Sequence, residues 1–176
     1  MSFRPAVEAG DSEALARLWA VTQLATCDGI EEIFSLDATR TYVESVLMPL
    51  HDVFVAARGE APIGFIALCA GHIAQLHVDP HWQRRGVGAG LIAVAKAREP
   101  AGLSLSCVRE RVGSFYEANG FQETRIHRVT PAGTYVEFEW RPRHAPIHDA
   151  AKGRQQWPTN EPGPIPTPCS RREPPA

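Results

Sequence analysis

The sequence predicts an α/β (α+β) domain, a mixed, mostly antiparallel, twisted sheet flanked by helices. Two hairpin signals carry the antiparallel part: Arg58, Gly59 and Glu60, and later Pro131, Ala132 and Gly133, each separate two β-branched or aromatic runs. Residues 73–78 form an alternating strand that runs into a glycine-rich helix start.

Residues 3–7 alternate as a short strand, and Ala9, Gly10 and Asp11 offer a turn and an N-cap. A helix over 12–23 follows, because Ala14, Leu15, Leu18, Trp19 and Thr22 recur at three-and-four spacing. Asp28 and Gly29 suggest a turn, residues 31–34 a helical turn, and Asp37 a cap for a helix over 38–48 ended by Pro49. Strands over 53–57 and 63–68 form the first hairpin. In the strand over 73–78, Ala74, Leu76 and Val78 share one face and Ile73, Gln75 and His77 the other. Val87, Leu91, Val94 and Ala95 mark a helix over 86–98, stopped by Pro100. A strand over 103–108, a short helix over 112–118 closed by Asn119 and Gly120, and strands over 121–129 and 135–140 complete the order β, α, α, β, β, β, α, β, α, β, β.

With 176 residues, 44% of them apolar, the chain holds one domain, residues 1–140, and a tail, residues 141–176. Nine of the fifteen prolines lie beyond Trp140, so the tail is expected to be extended or disordered. It bears on chemistry only if Arg143, His144 or Trp157 folds back over the site. A net charge of −2 provides no basic field for nucleic acid or anionic lipid, so neither is an expected partner. Cys27, Cys69, Cys107 and Cys169 form no Cys-x-x-Cys pair, which suggests reduced thiols rather than a zinc knuckle or compact disulfide framework. His51, His81, His127, His144 and His148 show no metal-ligand spacing, and no metal is expected. The N-terminus lacks a signal-peptide core and no stretch matches a membrane span, so a soluble, cytoplasmic protein is expected.

The chemistry concentrates where Leu76, His77, Val78, Asp79 and Pro80 lead through His81 and Trp82 into Gln83, Arg84, Arg85, Gly86, Val87, Gly88 and Ala89. The first N–H groups of a helix lack intrahelical acceptors, so successive amides there can hydrogen-bond a diphosphate. Glycine keeps a Cβ from standing between backbone and phosphate. The helix dipole adds roughly 0.3–1 kcal/mol per favourable charge, and Arg84 and Arg85 can add charge-assisted contacts. Taken alone, the segment is equally a tight strand-to-helix turn with incidental glycines. A dinucleotide fingerprint is disfavoured: that motif opens a fold and has an acidic ribose ligand about 20 residues on, whereas this one is mid-chain and Glu110 follows the end of the next strand.

Two motifs together resemble the GNAT superfamily of acyl-CoA-dependent N-acyltransferases. Gln83, Arg84, Arg85, Gly86, Val87 and Gly88 match its Gln/Arg-x-x-Gly-x-Gly/Ala turn, and Phe115, Tyr116, Glu117, Ala118, Asn119, Gly120 and Phe121 match its Phe-Tyr-x-x-x-Gly-Phe. The resemblance spans residues 3–140, including element order. It implies acetyl-CoA as cosubstrate and acetyl transfer to an amine. It also implies that Leu76, His77 and Val78 present backbone groups to the pantetheine arm where two central strands splay apart, and that the turn through Ala89 holds the pyrophosphate. Tyr116 matches a general acid toward the leaving thiolate, a role suited to a phenol whose reference pKa near 10 keeps it protonated; packing beside Phe115 and Phe121 is the plainer role.

The chain departs from the family in places. An asparagine seven residues before the tyrosine is replaced by Arg109, and Gln75 and Ser104 stand where some members carry a basic glutamate. His72, His77, Glu137 and Glu139 are the candidate bases, none fixed by position. The acceptor pocket is expected from residues 27–39, with Asp28, Glu31 and Glu32, and from the last hairpin. Small-molecule amines are preferred over peptide or protein amines by family analogy, with homodimerisation left open. A non-catalytic acyl-CoA-binding module is the alternative.

Overall fold

A computed structural model of the chain describes residues 1–26, 35–130 and 133–142. Residues 27–34, with Asp28, Glu31 and Glu32, lie outside them, as do Pro131, Ala132 and the tail from Arg143 on.

The chain runs β1 (Ser2–Pro5), α1 (Glu8–Thr26), α2 (Leu36–Tyr42), a π turn (Val43–Leu47), α3 (Met48–Leu50), β2 (Asp52–Arg58), β3 (Ala61–Cys69) and β4 (His72–Val78). A 3-10 turn (Pro80–Trp82), α4 (Val87–Arg98), β5 (Leu103–Val108), a second π turn (Arg109–Gly113), α5 (Ser114–Ala118), β6 (Gln122–Thr130) and β7 (Gly133–Trp140) follow. The strands form one sheet in the order β1-β2-β3-β4-β5-β7-β6. Every neighbouring pair is antiparallel except β4 and β5. The mixed, mostly antiparallel sheet is as expected.

Helices cover both faces. On one, Leu15, Leu18 and Trp19 of α1 and Val43, Leu47 and Met48 pack on Val53, Val55, Phe65 and Ala67. On the other, Val87, Leu91, Ile92 and Ala95 of α4, with Tyr116 of α5, pack on Ile63, Ile66, Leu68, Leu105, Val136 and Phe138. Gly64 sets the approach of α4: a Cβ there would lie 3.0 Å from the His77 carbonyl oxygen and 3.1 Å from Val87. An isolated glycine inside a strand is a readable sign of such closeness.

Four local expectations change. α1 begins at Glu8, a turn early, because Asp11 is not a cap; its carboxylate accepts from Val7 N–H (2.7 Å) and pairs with Arg4 (2.6 and 2.9 Å). Ser35, not Asp37, caps α2 by accepting from Ala38 N–H at 3.2 Å. Pro49 does not end its helix. Upstream of it the π turn lets Met48 N–H reach back five residues to Val43, and His51 N–H still reaches Leu47 at 3.1 Å. Finally, Ile73 joins Leu76 in one core cluster, because the register shifts between Ala67 and Leu68 and breaks the simple alternation along β4.

One thiol also departs from the reduced state inferred from spacing. Cys69 is disulfide-bonded, while Cys107 is free.

Candidate active site

β4 and β5 meet at one register pair, His72 with Ser104, next to the Ser104 N–H bond to the Gly71 carbonyl (2.8 Å). Beyond it both strands continue without pairing to each other, so the sheet opens along about 20 Å of β4, at roughly 3.3 Å per residue. Leu76, His77 and Val78 line the open end. This is the splay the sequence led one to expect.

The turn after Val78 is built around its own donors. Asp79 accepts from His81 N–H (2.8 Å), and the Gln83 side-chain amide donates to the Val78 carbonyl (3.1 Å). Gln83 N–H is also used, toward Pro80 at 3.4 Å. Gln83 therefore ties the turn to the strand. None of the N–H groups of Arg84, Arg85, Gly86, Val87, Gly88 and Ala89 makes a hydrogen bond of ordinary length and angle among the described residues; the first helical bond is from Gly90 to the Gly86 carbonyl, at 2.9 Å. Gly86 opens α4 in the left-handed region (φ +82°), and Arg84 shares that region at +58°. For an arginine that conformation costs roughly 1–2 kcal/mol, and strain of this kind gathers at ligand clamps. Successive unpaired amides beside a helix N-terminus make an anion site.

On the same side of the sheet, α5 holds Tyr116 through a Schellman ending. Phe121 N–H bonds the Tyr116 carbonyl (3.0 Å), Gly120 N–H bonds the Glu117 carbonyl (2.8 Å), and Gly120 is left-handed at +80°. The Tyr116 and Phe121 rings then meet edge-on at 5.7 Å, the apolar contact this motif brings with it. The spacing of tyrosine, glycine and phenylalanine thus encodes a helix stop that fixes the phenol. The Tyr116 ring is buried against Phe115 and Phe138, yet its hydroxyl has no hydrogen-bond partner among the described residues and is not among the sealed polar atoms. Burial raises its pKa well above the ordinary phenol value, with a smaller contribution from Cys107. It is a donor at any physiological pH.

The comparisons agree with this geometry. Residues 49–123 match the acetyltransferase (GNAT) domain family model. Over that segment, less than half of its length, the chain resembles the GNAT superfamily. It is 30% identical over 96 residues to the uncharacterized N-acetyltransferase YafP of Escherichia coli K12, an alignment spanning 52% of this chain and 62% of that one, less than two thirds of its length. The solution structure of apo-form YjaB from Escherichia coli superposes with a TM-score of 0.60 at 25% identity, covering 78% of this chain and 94% of that one. YncA from Salmonella typhimurium, a putative acetyltransferase solved with acetyl-CoA, gives 0.64 at 16% identity over 85% and 98%, a likeness of fold.

Within this GNAT-like framework, the sheet face away from Tyr116 carries the remaining candidates. His77 turns its ring toward α1, stacked near Trp19 and Phe65 at 5.3 and 5.1 Å. Its Nδ1 meets Thr22 Oγ1 at 2.7 Å and its Nε2 meets Gln75 Oε1 at 2.9 Å. Burial lowers its pKa to about 4. With both nitrogens engaged, its side chain orients Gln75 rather than offering a free lone pair. His72 sits at the closed end of the split, bonded to Ser104 Oγ at 3.0 Å. Glu139, opposite Ser104, is held by Arg141 at 2.9 Å, whereas Glu137, opposite Ser106 toward the open end, has His127 Nε2 at 3.6 Å.

Arg109, in the position where the family often has asparagine, is spent on a salt bridge to Glu123. Cys107 is half-buried beside Tyr116, and burial with the nearby Glu123 and Glu110 carboxylates pushes its thiol up to about 11, which keeps it a poor nucleophile. Two residues that sequence reading passed over belong to the site. Thr22 was assigned only to the apolar stripe of α1. Lys96 of α4 reaches the Asn119 carbonyl at 2.5 Å and lies over Trp140, joining the glycine helix to the end of α5; no local pattern announces that contact. Among the described residues no group of His, Cys, Asp and Glu could hold a metal, and no helix is long and apolar enough to cross a membrane.

Proposed function

We infer that the chain is an acetyl-CoA-dependent N-acetyltransferase acting on the amine of a small molecule. The observation that carries this reading is the run of six unpaired amides, from Arg84 to Ala89, at the open end of the β4–β5 split. A diphosphate fits it: it is all acceptor where the chain is all donor, and Arg84 has no carboxylate partner among the described residues. Acetyl-CoA, when bound, supplies an activated thioester.

The chain's own residues do the rest. Of Leu76, His77 and Val78, the peptide groups that turn toward β5 can hydrogen-bond an extended arm lying in the split, beside a Val78 carbonyl that already accepts from Gln83. Tyr116 keeps its proton for a departing thiolate. Glu137, opposite Ser106 toward the open end, is our candidate to take a proton from an incoming ammonium group, directly or through water. The high thiol pKa of Cys107 favours direct attack by the amine over relay through an acyl-cysteine. The reading includes a cytoplasmic setting and neither nucleic acid nor membrane as partner. A second reading, a binding module without turnover, is favoured by the engagement of Arg109 and His77.

Calorimetry with CoA, run beside a thiol-release assay with acetyl-CoA and a broad amine panel, decides. Binding with release on some amine supports the transferase. Binding without release on any of them supports the module, and absence of both overturns the two readings together.

A further inference from the structure

Trp82 is shared by two guanidinium groups that lack a counter-charge. Arg58 Cζ lies 5.0 Å and Arg85 Cζ 5.2 Å from the indole ring centroid. Arg85 belongs to the amide-lined turn. Arg58 is the exposed last residue of β2, on the β2–β3 hairpin, an element outside both signature motifs. Elsewhere Arg4, Arg17, Arg40, Arg98, Arg109 and Arg141 each meet a carboxylate. Among the described residues Arg58, Arg84 and Arg85 meet none; Arg125 and Arg128, on the far edge strand β6, also meet none but lie away from the amide-lined turn.

An aromatic face holds a guanidinium without using its N–H groups, so both forks stay available for an oxyanion. Two cations gathered at one ring repel each other, a cost that an anion between or beside them removes. The six amides already match a diphosphate. Further uncompensated charge on a neighbouring hairpin therefore points to a second anionic group on the same ligand, some way from the first.

We propose that Arg58 and Arg85, held on Trp82, form a phosphomonoester site that takes the 3′-phosphate of the CoA cosubstrate. The proposal rests on the acetyl-CoA reading above and adds the β2–β3 hairpin to the binding surface. A dianionic phosphate suits paired arginine forks better than single lysines, because each fork can donate two parallel hydrogen bonds.

The test is calorimetry of the full chain and of Arg58→Gln with CoA and with dephospho-CoA, with thermal unfolding as a check that the exposed substitution leaves the fold intact. The wild type is expected to bind CoA at least about tenfold more tightly than dephospho-CoA, a difference of about 1.4 kcal/mol. Arg58→Gln is expected to lose most of that preference while binding dephospho-CoA as the wild type does. Equal wild-type affinity for the two compounds, or a variant weakened equally toward both, overturns the phosphomonoester site and leaves the cosubstrate reading standing. Binding of neither compound by the wild type overturns both.

Discussion

Gly88 and Phe115, one from each signature motif, are packed against each other: a Cβ on Gly88 would lie 3.1 Å from the Phe115 ring and 3.8 Å from Val78. The glycine therefore does more than let a phosphate near the backbone. It also lets the start of α4 dock on α5, which places the amide cradle and Tyr116 on one side of the same split. Gly88→Ala must push the Phe115 ring by a few tenths of an ångström, and Tyr116 is its chain neighbour. Turnover is expected to fall roughly tenfold, since sub-ångström misplacement of catalytic groups is costly. The melting temperature should move far less, because alanine recovers up to about 1 kcal/mol of helix preference. Steady-state kinetics beside thermal unfolding measure the two.

Tyr116→Phe removes the hydroxyl and keeps the packing. Turnover is expected to drop about 100-fold or more, the usual worth of a general acid, while CoA affinity stays within about twofold by calorimetry. Because burial raises the Tyr116 pKa, the proton is held above the ordinary phenol value near 10. Any alkaline loss of rate below that pH then belongs to another group, and the position of the alkaline limb should be the same in wild type and variant.

Gly120→Ala places a Cβ on a residue at φ +80°, where an L-residue is disfavoured by roughly 1–2 kcal/mol. The loss should appear in chemical denaturation as a lower midpoint with an unchanged slope. Turnover should fall as well, since the Schellman bonds at Tyr116 and Glu117 loosen with it. An unaltered midpoint would show that the turn does not need its glycine.

Asp11 offers a prediction about stability alone. Its carboxylate is almost fully buried, and the Arg4 guanidinium, followed by Val7 N–H, lowers its pKa. A depressed carboxylate stabilises the fold above its unfolded value of about 3.9, and that contribution is lost as pH falls through the lower folded value. Asp11→Asn should cost about 1–3 kcal/mol at neutral pH, because Arg4 is left without its charge partner. The variant's stability should then vary less than that of the wild type below about pH 4.

Much of this was legible in the sequence because it is encoded locally. The hairpin at Gly59, the glycine helix and the Gly120 stop each occupy a few adjacent residues, and element order follows from them. What was misread depends on partners distant in sequence or on neighbours that compete for a role. Asp11 looks like a cap until Arg4 and Val7 are brought to it. Ser35 takes the capping role that Asp37 also fits by type. The face of Ile73 is set by a bulge opposite, in β3, and the ring of His77 by Thr22, 55 residues earlier in the chain. Gln83, expected at the cofactor by motif, also has a local role that the motif did not announce, its side chain bonded to the Val78 carbonyl. The acidic residues expected to shape the acceptor pocket, Asp28, Glu31 and Glu32, lie outside the described residues.

The most direct test of the amide cradle is a nitrogen–proton correlation NMR titration of the full chain with CoA. The largest saturable shifts are expected at the amides of Arg84, Arg85, Gly86, Val87, Gly88 and Ala89, with smaller ones at Leu76, His77 and Val78. Unmoved amides from Arg84 to Ala89 while CoA binds elsewhere would contradict the cradle.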